Sequence, residues 1–221
     1  MAVLGVDGWR GRWVGVLLAG RRVTLLDLAD VTAVLAVPDV EIVAIDMPIG
    51  LSEDGVRACD VEARRRLVGA ASSVFPAPVR PVLRANTYDE ARSLSIASAG
   101  RSLSVQTFGL VPAIRSLDDA LGDPPDRRVH EVHPELSFRA LDGRVTDRKA
   151  SVPGVAQRIR ALEAAMDVLD ALAGSPAWMP MVDALDACAA AWSAQRIADG
   201  QAEVMGDGTL DRRGRPMRIC F

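Results

Sequence analysis

The chain opens on three apolar runs separated by short polar breaks. Residues 2–7 (AVLGVD) are apolar up to a terminal acid, which predicts a buried strand tipped by a carboxylate. The run 12–20 (RWVGVLLAG) predicts a second strand, Gly20-Arg21-Arg22 a tight turn, and 22–29 (RVTLLDLA) a third strand. Residues 2–29 therefore read as a three-stranded antiparallel meander. The stretch 30–37 predicts a short helix capped by Asp30 or Thr32. Next, 40–46 (VEIVAID) is again apolar and again ends in an acid, followed by Pro48 and Gly50. A strand reached through a helical crossover runs parallel to an earlier one.

The pattern changes over 52–125. Helical periodicity covers 59–70, 87–100 and 110–122, with Thr87 and Glu90 spaced as a capping box, while 72–85 is proline-rich and has no clear period. This block reads as a helical insertion or lid. Residues 127–138 (RRVHEVHPELSF) return to a strand pattern that Pro134 ends. Over 155–173, Ile159, Leu162, Met166, Leu169 and Leu172 recur at helical spacing, and Gly174 closes the helix. A small-residue helix follows over 181–200, and the last eleven residues predict a turn and a short strand. Three antiparallel strands, a helix, a strand, an insertion, a strand and then helices are the element order of a ribonuclease H-like α/β fold. That fold is a mixed sheet of an antiparallel meander plus parallel strands, flanked by helices, with the first and fourth strands side by side. The expectation is one domain over 1–221, with the insertion at 52–125.

Composition narrows the partners. The chain is 49% hydrophobic, only 4% aromatic, and carries a net charge of -3, so it has no basic footprint for bulk nucleic-acid binding. Nearly all its cations are arginines; Lys149 is the single lysine. Three cysteines lie far apart without CxxC spacing, which fits reduced thiols in a cytoplasm. The N-terminus lacks the pattern of a secretory signal, and no apolar run approaches a membrane span. Oligomeric state is not set by the sequence, with which a homodimer is compatible.

The acids carry the chemistry. In the expected fold the tips of strands one and four lie together, bringing Asp7 and Asp46 face to face. Asp183 and Asp186 share one helical face at i,i+3 spacing, near the start of an otherwise apolar helix. Singly, each has a plain structural role, as a turn residue or a helix-terminal charge. Together they would repel strongly unless a cation neutralises them, and converging carboxylates suit a hard divalent ion such as Mg²⁺ or Mn²⁺.

Other residues extend the set. Strand alternation over 127–138 would put Glu131, His133 and Glu135 on one face, with Glu131 as a metal ligand and His133 positioning water or substrate. The two histidines and three cysteines complete no tetrahedral zinc set. Arg57, Arg64, Ser73 and Lys149 are the substrate-contact candidates, the cations through phosphate.

The segments GVDGWRGRWV, AIDMPIGL, SSVFPAP, EVHPELSF and DALDACAAAW resemble an uncharacterised domain-of-unknown-function family of predicted ribonuclease H-fold nucleases. The resemblance runs from Val3 to about Ile219. More distantly, the layout is similar to RuvC-type Holliday-junction resolvases. That resemblance implies metal binding by the strand-one acid, the strand-four acid and two acids three apart on a late helix, here Asp7, Asp46, Asp183 and Asp186. The function so implied is a metal-dependent phosphodiester hydrolase acting on a nucleic acid or small nucleotide through a two-metal carboxylate site. Two other readings stand beside it: a nucleotide-binding phosphotransferase of the actin and sugar-kinase type, and a non-catalytic protein that keeps the fold.

Overall fold

The computed structural model describes all 221 residues. In chain order the elements are β1 (Ala2–Trp9), β2 (Arg12–Ala19), β3 (Arg22–Leu28), α1 (Val31–Leu35), β4 (Val40–Ile45), α2 (Ala58–Arg66), α3 (Tyr88–Ala99), α4 (Val105–Ala120), β5 (Val129–Glu131), α5 (Pro134–Leu141), α6 (Val152–Glu163), α7 (Val168–Ala173), α8 (Met181–Ala198), β6 (Val204–Met205) and β7 (Ile219–Cys220). Two compact units form: Met1–Met47 with Arg127–Glu203 and Cys220–Phe221, and Pro48–Asp126 with Val204–Ile219. No helix is long and apolar enough to cross a membrane.

The first unit is built on a five-stranded mixed sheet in the order β3-β2-β1-β4-β5. The meander β1-β2-β3 is antiparallel, whereas β4 runs parallel to β1 and β5 parallel to β4. Asp30 caps α1, its carboxylate accepting from the Ala33 amide at 2.8 Å. The first and fourth strands are therefore neighbours, with Val6 level with Ile45. The Asp46 amide donates to the Val6 carbonyl at 2.9 Å, so Asp46 follows the end of β4 beside Asp7, while β1 runs on past the expected end at Asp7 to Trp9.

Gly5 sets how α8 lies on this sheet. A Cβ at Gly5 would stand 2.0 Å from the Ala191 amide nitrogen and 2.3 Å from the Ala187 carbonyl oxygen. Backbone thus meets backbone, which only glycine on the strand and small residues on the helix permit. The helix answers with Ala184, Ala187, Ala190, Ala191 and Ala194, all buried. Its low aromatic and leucine content is what this contact requires.

Two expected elements fold differently. The strand expected over 127–138 stops at Glu131, and Pro134 begins α5 instead of ending a pairing. Proline suits the first helical position because its fixed φ is already helical and no amide is needed there. His133 therefore leaves strand geometry and becomes the residue that precedes α5, so Glu131, His133 and Glu135 do not share a strand face. The long helix expected over 155–173 is two, α6 and α7. The apolar period fails at Leu169, which is 51% exposed, while Met166 and Val168 turn inward between the helices.

The second unit contains α2, α3 and α4, with two 3-10 turns at Ala71–Ser73 and Arg80–Arg84 in the proline-rich stretch. Thr87 and Glu90 do form the capping box of α3. Ion pairs fill the interior of this unit. Arg80 pairs with Asp118 at 2.9 Å and with Asp211, and Arg213 meets Asp118 at 2.7 Å. Each buried charge is compensated, as the cost of desolvation demands.

Replacing Gly5 by alanine should lower stability by about 3 kcal/mol, because neither backbone segment has room to retreat. The Cβ of the control, Gly143→Ala, would meet nothing within 4 Å, so its denaturation midpoint should match wild type. Equal midpoints for all three proteins would refute the close approach of β1 and α8.

Candidate functional site

The register between β1 and α8 determines which side chains meet. Gly5 faces Ala187 and Ala191, and alternation puts Asp7 on the same sheet face, two residues or about 6.6 Å further along. Asp183 lies four residues, about 6 Å, before Ala187 on the helix. Strand and helix run in opposite senses, so Asp7 and Asp183 come level. Their carboxyl groups are close enough for each to shift the other's pKa. Asp46 joins from the neighbouring strand, and Asp186, one turn on from Asp183, completes a group of four carboxylates within the first unit.

The group is buried and repels itself. Asp7 is 8% exposed and Asp186 only 1%. Burial, then the charges of Asp46, Asp186 and Asp183, push the Asp7 carboxyl well above the usual carboxylate range, against the opposing pull of Lys149. Burial also raises Asp46, with His133 and Lys149 working against it and Glu135 adding to it. Asp183 is raised by burial, although Lys149 and the Asp7 carboxyl oppose the shift. Asp186 is pushed up to about 6, burial outweighing the attraction of Lys149.

Lys149 is the cation inside this group. Its ammonium stands 2.7 Å from one carboxylate oxygen of Asp186. Burial alone would lower its pKa, but Asp186, followed by Asp46 and Asp7, outweighs burial and raises it. The other oxygen of Asp186, Oδ1, is buried and accepts no hydrogen bond. An ionised carboxylate oxygen left so carries a substantial desolvation cost.

The remaining candidates fall in both units. Glu131 is buried on β5, one strand out from Asp46. His133 is half-buried before α5, close enough to Asp46 to lower its pKa. Arg57, Arg64 and Ser73 belong to the second unit. Arg57 is 3% exposed, pairs with Asp60 at 2.5 Å, and donates to the carbonyls of Ile49 and Gly50. That guanidinium ties a loop to α2 and is shielded from solvent, contrary to the surface phosphate contact the sequence suggests. Arg64 is exposed and donates to the Val74 carbonyl at 2.9 Å, while the Ser73 hydroxyl donates to Ala70 at 2.8 Å. Sequence reasoning missed Arg158, which is buried and pairs with Glu135 at 2.6 Å. The signal was an arginine on the inward stripe of α6, a position that requires an acid partner.

A hard divalent cation fits the chemistry of this donor set: all four ligands are carboxylate oxygens, and Asp186 Oδ1 is buried without a partner. The spacing is looser than a coordination shell, since no three of the His, Cys, Asp and Glu side chains stand close enough to share an ion.

The charge imbalance has a testable consequence for the protein without added metal. A carboxylate whose folded pKa is raised binds its proton more tightly in the folded state than in the unfolded one. Its contribution to stability is greatest at low pH and falls as pH rises from the ordinary carboxylate value of 3.8 towards the folded value, about 6 for Asp186. Asp7→Asn removes one repelling charge, so it should raise the melting temperature at pH 7 and change it little at pH 4. A mutant that melts below wild type at pH 7 would contradict the repulsion. The comparison is best made in EDTA.

No curated protein and no solved structure matches this chain. Residues 5–209, however, match the family described as protein of unknown function (DUF429). The match spans both the four-carboxylate group and most of the second unit, and the chain belongs to the DUF429 family.

Proposed function

We propose that the protein is a metal-dependent phosphodiester hydrolase, its substrate a nucleic acid or small nucleotide. The observation that carries this reading is the meeting of Asp7, Asp46, Asp183 and Asp186 with one lysine among them, a charge balance that a divalent cation would correct. The ribonuclease H-like layout expected from the sequence supports it, because the sheet order sets the first and fourth strands side by side. So does the pairing of two acids on the sheet with two on one helix.

In this reading Asp7 and Asp46 hold Mg²⁺ or Mn²⁺ from the sheet, and Asp183 and Asp186 from α8. The bound ions would activate a water and offset the charge that develops on the phosphodiester. Asp183 is the least buried of the helix pair, so it has the freedom to close on an ion. Lys149, with half its side chain exposed, is the cation that would meet a phosphate oxygen at the edge of the group. His133, beside Asp46, is the group positioned to accept or deliver a proton. Glu131 is level with Ile45 and Val6, on the sheet face opposite Gly5 and Asp7, and has no part in this reading. The net charge of -3 favours a short or structured substrate over long duplex DNA.

Short DNA, short RNA, branched junctions and cyclic dinucleotides with Mn²⁺ form the test panel. Asp7→Asn and Asp46→Asn should each nearly abolish cleavage. His133→Ala should reduce it less, by about 10²-fold, the lower end for a positioned acid or base. Absence of any Asp7-dependent cleavage across the panel would sink the hydrolase reading in favour of a non-catalytic role. Asp7-dependent ATP turnover would instead support the actin- or sugar-kinase-like phosphotransferase.

A further inference from the structure

The β1–α8 register that levels Asp7 with Asp183 continues one step outward. Trp9 lies two residues beyond Asp7 on the same strand face, about 6.6 Å along. Opposite it, just before α8, is Trp178. The two indoles stack with centroids 5.4 Å apart and planes inclined by 25°. The Arg10 guanidinium carbon sits 5.5 Å from the centre of the Trp9 ring. All three residues belong to the same unit as the four carboxylates.

Trp9 packs against the rim of the core, and Trp178 stacks on it from outside. Trp178 is 42% exposed, Trp9 is half-buried, and Arg10 is exposed. The chain has only four tryptophans, and two of them stand together beside its one cluster of buried, unbalanced acids. The support beneath them is stiff. Arg10 and Gly11 form the two-residue turn between β1 and β2, both with positive φ (47° and 80°), as in hairpin turns whose twist matches their strands. Trp9 pairs in register with Arg12, so its ring is held by the last rung of the ladder.

We propose that Trp9 and Trp178 form a stacking site for one nucleobase of the substrate, an inference that rests on the phosphodiester reading above. An exposed indole face binds any nucleobase through stacking. The step from Trp9 to Asp7 is about the span from a nucleobase to its own phosphate. A base on the indoles therefore sets the adjoining phosphodiester at the carboxylates. Arg10 adds positive charge on the solvent side, where the flanking phosphate of a dinucleotide would lie. One indole pair provides for a single base, in keeping with a chain that is 4% aromatic and has no extended stacking platform.

The test is calorimetric titration of the full chain in millimolar Mg²⁺ with the dinucleotide d(ApA) and with ribose 5-phosphate, which has no base. Trp178→Ala should weaken d(ApA) at least tenfold, within the range for loss of one base stack. Trp178→Phe, which keeps a ring, should stay within about threefold of wild type, and ribose 5-phosphate should bind all three proteins equally. Unchanged d(ApA) affinity in Trp178→Ala, equal weakening of both ligands, or a wild type that prefers neither would overturn the stacking site. The readout is binding alone, so it stands apart from the hydrolase reading. Loss of d(ApA) binding in Trp178→Ala with no cleavage of any substrate would keep the stacking site and reject the hydrolase. Asp7-dependent cleavage with unchanged d(ApA) binding would do the reverse.

Discussion

Backbone contact between β1 and α8 at Gly5 fixes most of what matters in the first unit. With the Ala187 carbonyl and Ala191 amide where a side chain would begin, the helix can take one depth and one register on the sheet. From that register follow the pairing of Asp7 with Asp183, the approach of Asp186, and the stacking of Trp9 on Trp178. A larger residue at position 5 would lift the helix and separate the acids. The alanine-rich face of α8 is thus as much a part of the site as the carboxylates it carries.

The site so assembled is electrically unfinished. Folding buries Asp7 and Asp186, partly buries Asp46 and Asp183, and brings the four near one another, and both effects favour protonation. Lys149 offsets one charge through Asp186, and His133 eases the burden on Asp46. Glu135, although paired with Arg158, adds to the rise at Asp46 and Asp186. The second unit offers an instructive contrast. There Arg80, Arg213 and Arg215 match Asp118 and Asp211, so a comparable density of buried charge is balanced by the protein's own cations. In the first unit the buried acids outnumber the cations beside them, which is the imbalance the proposed divalent cation would correct.

Much of this was legible in the apolar patterning. The meander, the crossover to β4 and the acid just past the end of β4 follow from short apolar runs, whereas β1 runs two residues beyond Asp7. The helix 181–200 and its i,i+3 acid pair follow from composition and spacing. Failures arose where one residue type serves two local structures. Pro134 can end a strand or begin a helix, and only the chain's tertiary path chose the second. Leu169 fits the helical period of its neighbours, yet it points to solvent because a turn intervenes after Glu163. Arg57 shares the composition of a surface arginine; its burial depends on a carbonyl pair at Ile49 and Gly50 that no periodicity reveals. Lys149 was conspicuous as the single lysine, but its partner could not be read, because Asp186 is 37 residues away. The Trp9–Trp178 pair was hidden for a similar reason: Arg-Gly lacks the usual Asn-Gly signature of a two-residue hairpin turn, so β1 seemed to end before Trp9.

The proposed hydrolysis requires that the four carboxylates form a site for a divalent cation. Counting bound Mn²⁺ by electron paramagnetic resonance, on wild type and Asp46→Asn at pH 7.5, tests it without reference to any substrate. Mn²⁺ should bind wild type stoichiometrically, be displaced by Mg²⁺, and be largely lost from Asp46→Asn. Free Mn²⁺ alone in the wild-type spectrum, or equal binding by the mutant, would contradict it.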